Sequence, residues 1–294
     1  MSTGDVRERL VDVETADGLI LPGAMFEPGG ERDACVLWIH GFGSGYDYRP
    51  CVELGRLLSA AGVGFLAGAT RGHYGGATLW RRRGEGWGTR KAGTWFEDLR
   101  EAGLDIDAWL VFARDAGYHS VILAGHSFGN VKIAWHLGTA DGPLPIDGLI
   151  LGSPSRGIVH LDPVVVGLAH EYLARDRGES LLPEGSWPRG FGTTTVSATT
   201  MASWAEVSAL VFERAAEWQG RVEAPVLAYY GDAADVGAEP ELADFTGGMS
   251  RAASIETRIL TGVRHNYDGG APAIAEAITS WWTAVQKAQG TGES

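Results

Sequence analysis

The chain has 294 residues, 45% of them apolar, which suits one large domain or a core with a sizeable insertion. Its formal net charge of −13 argues against a nucleic-acid partner, which needs a basic surface, and against an anionic membrane surface. There is no apolar run of the roughly 18 residues that a membrane span requires, and the N-terminus shows no signal-peptide pattern.

An antiparallel hairpin is predicted first, over 9–26, with Asp17-Gly18 as its turn. Short apolar runs typical of strands buried on both faces follow at 34–40, 63–70, 120–124, 147–152, 224–231 and 254–260. Helical patterns alternate with them at 49–62, 94–117, 129–137 and 271–287. This order predicts an α/β fold with a mostly parallel central sheet and helices on both faces.

The pattern at 94–117 is the clearest helix in the sequence. Thr94 and Glu97 have the spacing of a capping box, so the helix is predicted to begin there. The two cysteines, Cys35 and Cys51, have no metal or redox spacing. Both are expected to be buried free thiols, which favours a reducing cytoplasm.

Residues 153–223 interrupt the alternation. An ordinary connection has about 4–6 residues, and this segment is far longer, with helical patterns near 162–176 and 202–219. It leaves from the carboxyl end of a parallel strand, the edge where ligands bind in such sheets. We therefore expect a helical cap over a core formed by 1–152 and 224–294. A peripheral elaboration without a role at the site is the alternative.

A serine lies between two glycines where a predicted strand turns into a helix. The run Gly125-His126-Ser127-Phe128-Gly129 fits G-x-S-x-G, the nucleophile elbow. The turn is tight, so the flanking positions must be small, and the strain holds the hydroxyl clear of the sheet. The alternative is an ordinary glycine-rich turn. The strand–turn–helix setting favours a nucleophile.

The loop that follows the third predicted strand, 40–47, is the candidate for an oxyanion hole. We expect the backbone amides of Phe42 and Phe128 to be its donors. A dinucleotide-binding loop is the alternative. It would need glycine at Tyr46, and the loop would have to follow the first strand of a βαβ unit.

A serine nucleophile needs a histidine base. His265 lies after the last predicted strand and before the last helix, so its loop reaches the same sheet edge as Ser127. The other histidines belong to other loops or to no motif. His170-Glu171 lacks a second histidine at Ala174, so no zinc site is predicted. The orienting acid should follow the strand at 224–231, where two candidates occur, Asp232 and Asp235.

Together these residues resemble the α/β-hydrolase superfamily, in particular its serine esterases and lipases. The motifs that carry the resemblance are "HGFG" at 40–43, "RGH" at 71–73, "GHSFG" at 125–129, "PVLAYYGDAAD" at 225–235 and "RHNYDG" at 264–269. The resemblance covers nearly the whole chain. It implies acyl transfer through an acyl-serine with a Ser127–His265–Asp triad and no metal or organic cofactor. It also places the cap after the sixth predicted strand.

The acid is where the sequence departs from the family. Many relatives carry the aspartate three residues after the strand-ending glycine, but here position 234 is alanine. We favour Asp235, with Asp232 as the backup. Asp232 follows Gly231 directly, and a short carboxylate there commonly accepts local backbone N–H groups instead.

The substrate is expected to be a small ester, lactone or thioester with an apolar or aromatic group. Tryptophans in the loops and the cap favour such a pocket, although each of them could equally pack the cap: Trp80, Trp87, Trp95, Trp187 and Trp204. The basic run 81–91 could attract an anionic group or form a solvated loop. An acyltransferase or cyclase with the same triad, or a hydrolase-like ligand receptor, are the alternatives. A monomer and a homodimer both stay open.

Overall fold

The computed structural model describes residues 6–186, 195–233 and 239–290. The strands are β1 Arg7–Glu14, β2 Ile20–Glu27, β3 Ala34–Ile39, β4 Gly64–Gly68, β5 Ala77–Arg83, β6 Gly86–Ala92, β7 Ser120–His126, β8 Gly148–Gly152, β9 Val226–Gly231 and β10 Ile255–Leu260. Eight of them form one sheet in the order β1-β2-β4-β3-β7-β8-β9-β10. The strands β5 and β6 form a separate hairpin.

The helices are α1 Arg49–Ala60, α2 Ala102–Asp115, α3 Gly129–Thr139, α4 Pro163–Leu173, α5 Ala198–Ser208, α6 Ala215–Gln219, α7 Glu239–Thr246 and α8 Ala271–Gly290. A 3₁₀ turn at Leu99–Glu101 precedes α2, and a π-helical turn at Ala209–Glu213 follows α5. Within the described part of the chain, no helix combines the length and the apolar character that crossing a membrane requires.

The sheet is antiparallel at its start and parallel from β4 to β10. The strands β1, β2 and β4 pair antiparallel, while β3 pairs in parallel with both β4 and β7. The parallel pairing then continues through β8 and β9 to β10. Every residue of β3, β4, β8 and β9 is buried, because helices cover both faces. The predicted α/β architecture is confirmed.

The alternation of side chains along β3 shows how the two faces are filled. Leu37 and its neighbours on that face join an apolar cluster with Trp109 of α2 and Val131 of α3. Trp38 points to the other face and joins Leu58 of α1 and a set of α8 side chains. Both predicted thiols, Cys35 and Cys51, are buried and free, and burial raises the pKa of each.

The helix predicted from residue 94 begins at Ala102 instead, so the capping-box prediction was wrong. The Asp98 side chain accepts the Arg100 amide and caps the short 3₁₀ turn. The Thr94 hydroxyl is bonded to backbone carbonyls at Gly72 and Tyr74. The carboxylate of Glu97 is paired with a lysine in the interior, so neither residue is available as a cap.

The basic run 81–91 forms most of the β5–β6 hairpin, an element that the sequence did not predict. One hairpin face packs on the core through Leu79 and Ala92, which are 6% and 2% exposed. The other face is polar and open to solvent, with Trp80 and Trp87 at 61% and 54% exposure. A hairpin with only one weakly apolar face lacks the regular alternation by which strands are recognised.

The segment 153–223 contains α4, α5, the π-helical turn and α6, close to its two predicted helical patterns. Helix α5 is tied to the loop before α2: the Ser197 amide donates to the Trp95 carbonyl, at 2.7 Å. The Leu99 amide in turn donates to the Ser203 hydroxyl, at 3.1 Å. The segment therefore packs over loops at the carboxyl edge of the sheet. Its role as a cap stays a prediction.

Candidate active site

Ser127 lies in a strained turn between β7 and α3. Its φ is +52°, a left-handed conformation that non-glycine residues rarely adopt. A Cβ placed on Gly125 would lie 2.5 Å from Oδ1 of Asn130, and one on Gly129 would lie 2.2 Å from the Ile39 carbonyl oxygen. Both glycines are therefore required by close contacts, as the elbow motif predicts.

Hydrogen bonds from the backbone and from the Asn130 side chain hold the elbow against the adjacent strand. The Ser127 amide donates to the Gly152 carbonyl at the end of β8, at 2.9 Å. The Asn130 side-chain amide donates to the carbonyls of Ser127 and Gly152, at 3.0 and 2.9 Å. These bonds fix the direction in which the Ser127 hydroxyl leaves the sheet.

His265 reaches that hydroxyl from the loop between β10 and α8. Its Nε2 lies 2.9 Å from Oγ of Ser127, within hydrogen-bond distance. Ser127 itself is only 6% exposed. The two predicted residues, which are 138 positions apart in the chain, are thus brought together in a geometry suited to proton transfer.

His126 joins the elbow to the His265 loop. Its Nε2 lies 2.7 Å from the His265 backbone carbonyl oxygen. Its ring stacks on Trp38 at a centroid distance of 6.0 Å and lies 4.3 Å from the ring of Tyr267. Burial, and then the neighbouring His265, lower the pKa of His126 to about 3.

The loop predicted to hold the oxyanion lies directly against the elbow. A Cβ on Gly41 would be 3.1 Å from Cβ of Ser127, a tight contact that glycine avoids as the loop approaches the elbow. The Phe42 and Phe128 rings meet edge-on at 5.9 Å. The Gly43 amide donates to the Thr94 hydroxyl, at 3.1 Å, which anchors the loop to the segment before α2.

A buried polar network lies under this loop, and the sequence did not predict it. His40 contacts the Gly41 carbonyl through Nδ1, at 2.9 Å, and accepts the Thr70 amide at Nε2, at 3.1 Å. Lys132 of α3 donates to the Thr70 hydroxyl, at 2.7 Å, and pairs with Glu97, at 2.8 Å. Both side chains of that pair are 2% exposed. A lysine inside the otherwise apolar run of α3 was the available signal.

Burial and hydrogen bonding set the charge states in this network. Burial, and then the charge of Lys132, lower the pKa of His40 well below its ordinary value, so its ring is neutral. Burial raises the pKa of Glu97, and the adjacent Lys132 opposes that rise. The neutral His40 ring therefore donates from Nδ1 to the Gly41 carbonyl and accepts at Nε2.

Of the two candidate acids, Asp232 lies within the described residues and Asp235 lies outside them. Asp232 is exposed, and its Oδ1 accepts the Gly262 amide at 2.6 Å, a local bond between the turns after β9 and β10. Asp235 lies outside the described residues, so its position relative to His265 stays a prediction.

The candidate pocket tryptophans lie in different environments. Trp204 of α5 is fully buried, with its ring 5.9 Å from that of Phe42 and 5.8 Å from that of Phe128. Trp80 and Trp87 are more than half exposed on the hairpin, and Trp187 lies outside the described residues. Of the tryptophans predicted to bind substrate, Trp204 is the one with described contacts to both expected oxyanion-hole residues.

The cations of the basic run are largely paired with nearby acids. Arg81 and Arg90 both approach the Asp17 carboxylate, at 3.7 and 3.4 Å. Arg82 pairs with Glu14 at 2.7 Å, and Lys91 pairs with Glu179 at 3.3 Å. This pairing favours a structural role for the run. Among residues 6–186, 195–233 and 239–290, no group of three or more potential ligands could hold a metal ion.

Comparisons with known proteins give structural matches only. No protein-family model matches the sequence, and no curated protein matches it. Among solved structures, the chain is similar to Est1E from Butyrivibrio proteoclasticus, with 16% identity and a TM-score of 0.63 over 94% of this chain and 98% of the other. It is also similar to a thermostable carboxyl esterase from Bacillus coagulans, with 15% identity and a TM-score of 0.68 over 95% and 99%.

A monoacylglycerol lipase from Paleococcus ferrophilus matches with 22% identity and a TM-score of 0.60, over 89% of this chain and 97% of that one. These likenesses, all at low identity, extend over nearly the full length of both chains. They show that this chain has the α/β-hydrolase fold, as its motifs indicate.

Proposed function

We propose that this protein is a serine hydrolase that cleaves a carboxylic ester, lactone or thioester of a small apolar or aromatic substrate. The observation that carries the proposal is the 2.9 Å contact between Oγ of Ser127 and Nε2 of His265 at a strained strand-to-helix turn. A nucleophile and a base in hydrogen-bond contact are what acyl transfer needs. The names of the similar solved structures, two esterases and a lipase, support the same reaction class.

The mechanism assigned to these residues is a two-step acyl transfer. His265 takes the proton of Ser127, which attacks the substrate carbonyl and forms a tetrahedral intermediate. The amides of Phe42 and Phe128 hold the oxyanion. His265 then protonates the leaving alcohol or thiol, and later activates the water that releases the acid. The scheme requires no metal ion or organic cofactor.

Asp235 is proposed as the acid that orients His265. The support is indirect: the Asp232 carboxylate already accepts the Gly262 amide and so serves its own turn. Loss of the true acid typically costs about 10⁴-fold in kcat. Asp235→Asn and Asp232→Asn, assayed on one aryl ester, give matched variants. A collapse of kcat in Asp232→Asn, with Asp235→Asn near normal, would reverse the assignment.

The segment 153–223 is proposed as a cap that shapes the acyl pocket through Trp204. Trp204→Leu should change the ranking of kcat/KM across acyl lengths, because its ring packs on Phe42 and Phe128. Trp218→Leu is the matched control, since Trp218 is equally buried but bonds the Val211 carbonyl instead. If the two variants rank the acyl lengths identically by kcat/KM, Trp204 does not shape the acyl pocket, and the segment is peripheral.

The central test is Ser127→Ala. A fluorophosphonate should label the native protein at Ser127, and the variant should lose both labelling and turnover on a panel of aryl esters, lactones and thioesters. Ser59→Ala is the control, because Ser59 is also buried but lies on α1. Near-normal turnover by Ser127→Ala would end the serine-hydrolase proposal.

The two buried thiols support a cytoplasmic location, which we include in the proposal.

A further inference from the structure

We propose that His126 is a positioning residue that holds the backbone of His265 so that its imidazole stays within reach of Ser127. This inference rests on the proposed function, since it gives His265 the role of base. His126 occupies the first variable position of G-x-S-x-G, a place that the motif itself leaves unassigned. Three contacts of its ring support this role.

The first contact is the hydrogen bond to the His265 loop. The His265 carbonyl oxygen can only accept, so Nε2 of His126, at 2.7 Å, carries the proton and donates. This determines the tautomer of His126 and leaves Nδ1 without a proton. The bond attaches the main chain of His265 directly to the residue before the nucleophile.

The second contact is with two aromatic rings, those of Trp38 and Tyr267. Trp38 stacks on the His126 ring with an interplanar angle of 17°, and the ring of Tyr267 lies 4.3 Å from it. Trp38 and Tyr267 also contact each other, with their ring centroids 6.2 Å apart. Tyr267 is itself held at a positive φ of +64°, and its hydroxyl bonds that of Ser153 at 3.2 Å. These ring contacts restrict the orientation of the His126 imidazole and favour the direction in which its Nε2 meets the His265 carbonyl.

The third contact places His126 between the base and the oxyanion loop. A Cβ on Gly41 would lie 3.4 Å from Nδ1 of His126, so the ring also borders the loop that carries Phe42. The His126 side chain thus borders both the loop of the proposed base, His265, and the loop that carries Phe42. Both loops carry groups that must be positioned correctly around the substrate carbonyl. A misplacement of about 1 Å in such a group can cost roughly 10²-fold in rate.

The charge state of His126 is compatible with this role. Burial and the neighbouring His265 keep the pKa of His126 near 3, so the ring stays a neutral donor at ordinary pH. Its titratable neighbours include His265 and Tyr267, whose rings lie 5.3 and 4.3 Å away, and His40, which interacts with it electrostatically. A neutral ring at this position adds no positive charge beside the one that develops on His265 during the reaction.

The test separates the ring from its N–H donor. His126→Phe keeps a ring in contact with Trp38 and Tyr267 but removes the donor. We expect kcat on an aryl ester to fall about 10- to 100-fold with little change in KM. His126→Gln places an amide N–H near the position of Nε2 and should restore kcat to within about threefold of the native value. His126→Asn ends short of the carbonyl and should behave like His126→Phe.

His136→Phe is the matched control, because His136 is buried on α3 and bonds the Asp107 carboxylate away from these contacts. It should lower stability without lowering kcat at temperatures below its unfolding transition. Equal kcat in the Gln and Asn variants, or native kcat in His126→Phe, would overturn the positioning role. If Ser127→Ala stays inactive in those cases, the hydrolase proposal stands; turnover by Ser127→Ala would overturn that proposal instead.

Discussion

The Ser127 elbow and the β5–β6 hairpin both follow parallel strands of the same sheet, yet they are held in opposite ways. The elbow is enclosed: atoms of Asn130 and Ile39 lie where side chains on Gly125 and Gly129 would go. The hairpin is open, with Trp80 and Trp87 more than half exposed and its cations paired with acids. Enclosure leaves few residues allowed at each position, so it produces a readable motif. An exposed position tolerates many residue types, so an open element such as the hairpin has no recognisable sequence motif.

The largest effect should follow from a single methyl group at Gly129. In Gly129→Ala the new Cβ would meet the Ile39 carbonyl oxygen at 2.2 Å, and rigid backbone cannot retreat. We expect a loss of more than about 4 kcal/mol in the free energy of unfolding, or no folded protein. Urea denaturation measures it, with Gly142→Ala as the control, since nothing lies within 4 Å of a Cβ there. Similar stabilities in the two variants would refute the close contact.

The next effect should come from the buried pair beneath the elbow. Lys132→Met leaves the carboxylate of Glu97 buried without its cation. Breaking a buried pair in this way typically costs about 3–5 kcal/mol. Adding Glu97→Leu to Lys132→Met removes the orphaned charge and should recover most of the loss. If the double variant is as unstable as the single one, the loss comes from packing and not from charge.

His126 should contribute a smaller, pH-dependent effect. Its pKa in the folded chain is about 3, so the unfolded chain binds a proton below about pH 6.5 that the folded chain does not. Stability therefore falls as the pH drops, and between pH 7 and pH 5 this ring accounts for at most about 2 kcal/mol. In His126→Phe and His126→Gln, the decrease in the free energy of unfolding from pH 7 to pH 5 should be smaller than in the native protein by this amount. Denaturation curves at both pH values check it, and an unchanged fall would contradict the low pKa.

The smallest effect is expected on the hairpin. Trp80→Ser combined with Trp87→Ser should change the free energy of unfolding by less than about 0.5 kcal/mol per site, because both rings face solvent. We also expect kcat/KM on a small aryl ester to stay within about twofold, a minor free-energy change. A KM that rises for aromatic esters and not for acetyl esters would instead show that these rings bind substrate, as the sequence indicated.

The same contrast explains what could be predicted from the sequence. The contact between Ser127 and His265 could be predicted, because glycine spacing and chain order restrict where these two residues can lie. Glu97 was misread as a cap, since its true partner, Lys132, is distant in sequence and close only in the fold. The hairpin was missed because its strands carry charge on their open face. The choice between Asp232 and Asp235 depends on the path of a loop, which no local pattern determines.

The 138-residue separation of Ser127 and His265 has a consequence for how the protein is made. The loop proposed to hold the oxyanion follows β3 and the proposed base follows β10, so the proposed site draws on nearly the whole sheet. Contacts of such long range form late in folding, because the closure of large loops must come first. A chain still emerging from the ribosome without β10 cannot place His265 beside the serine. Reaction with a fluorophosphonate would therefore report completed synthesis and folding, and no fragment lacking the last strand should react.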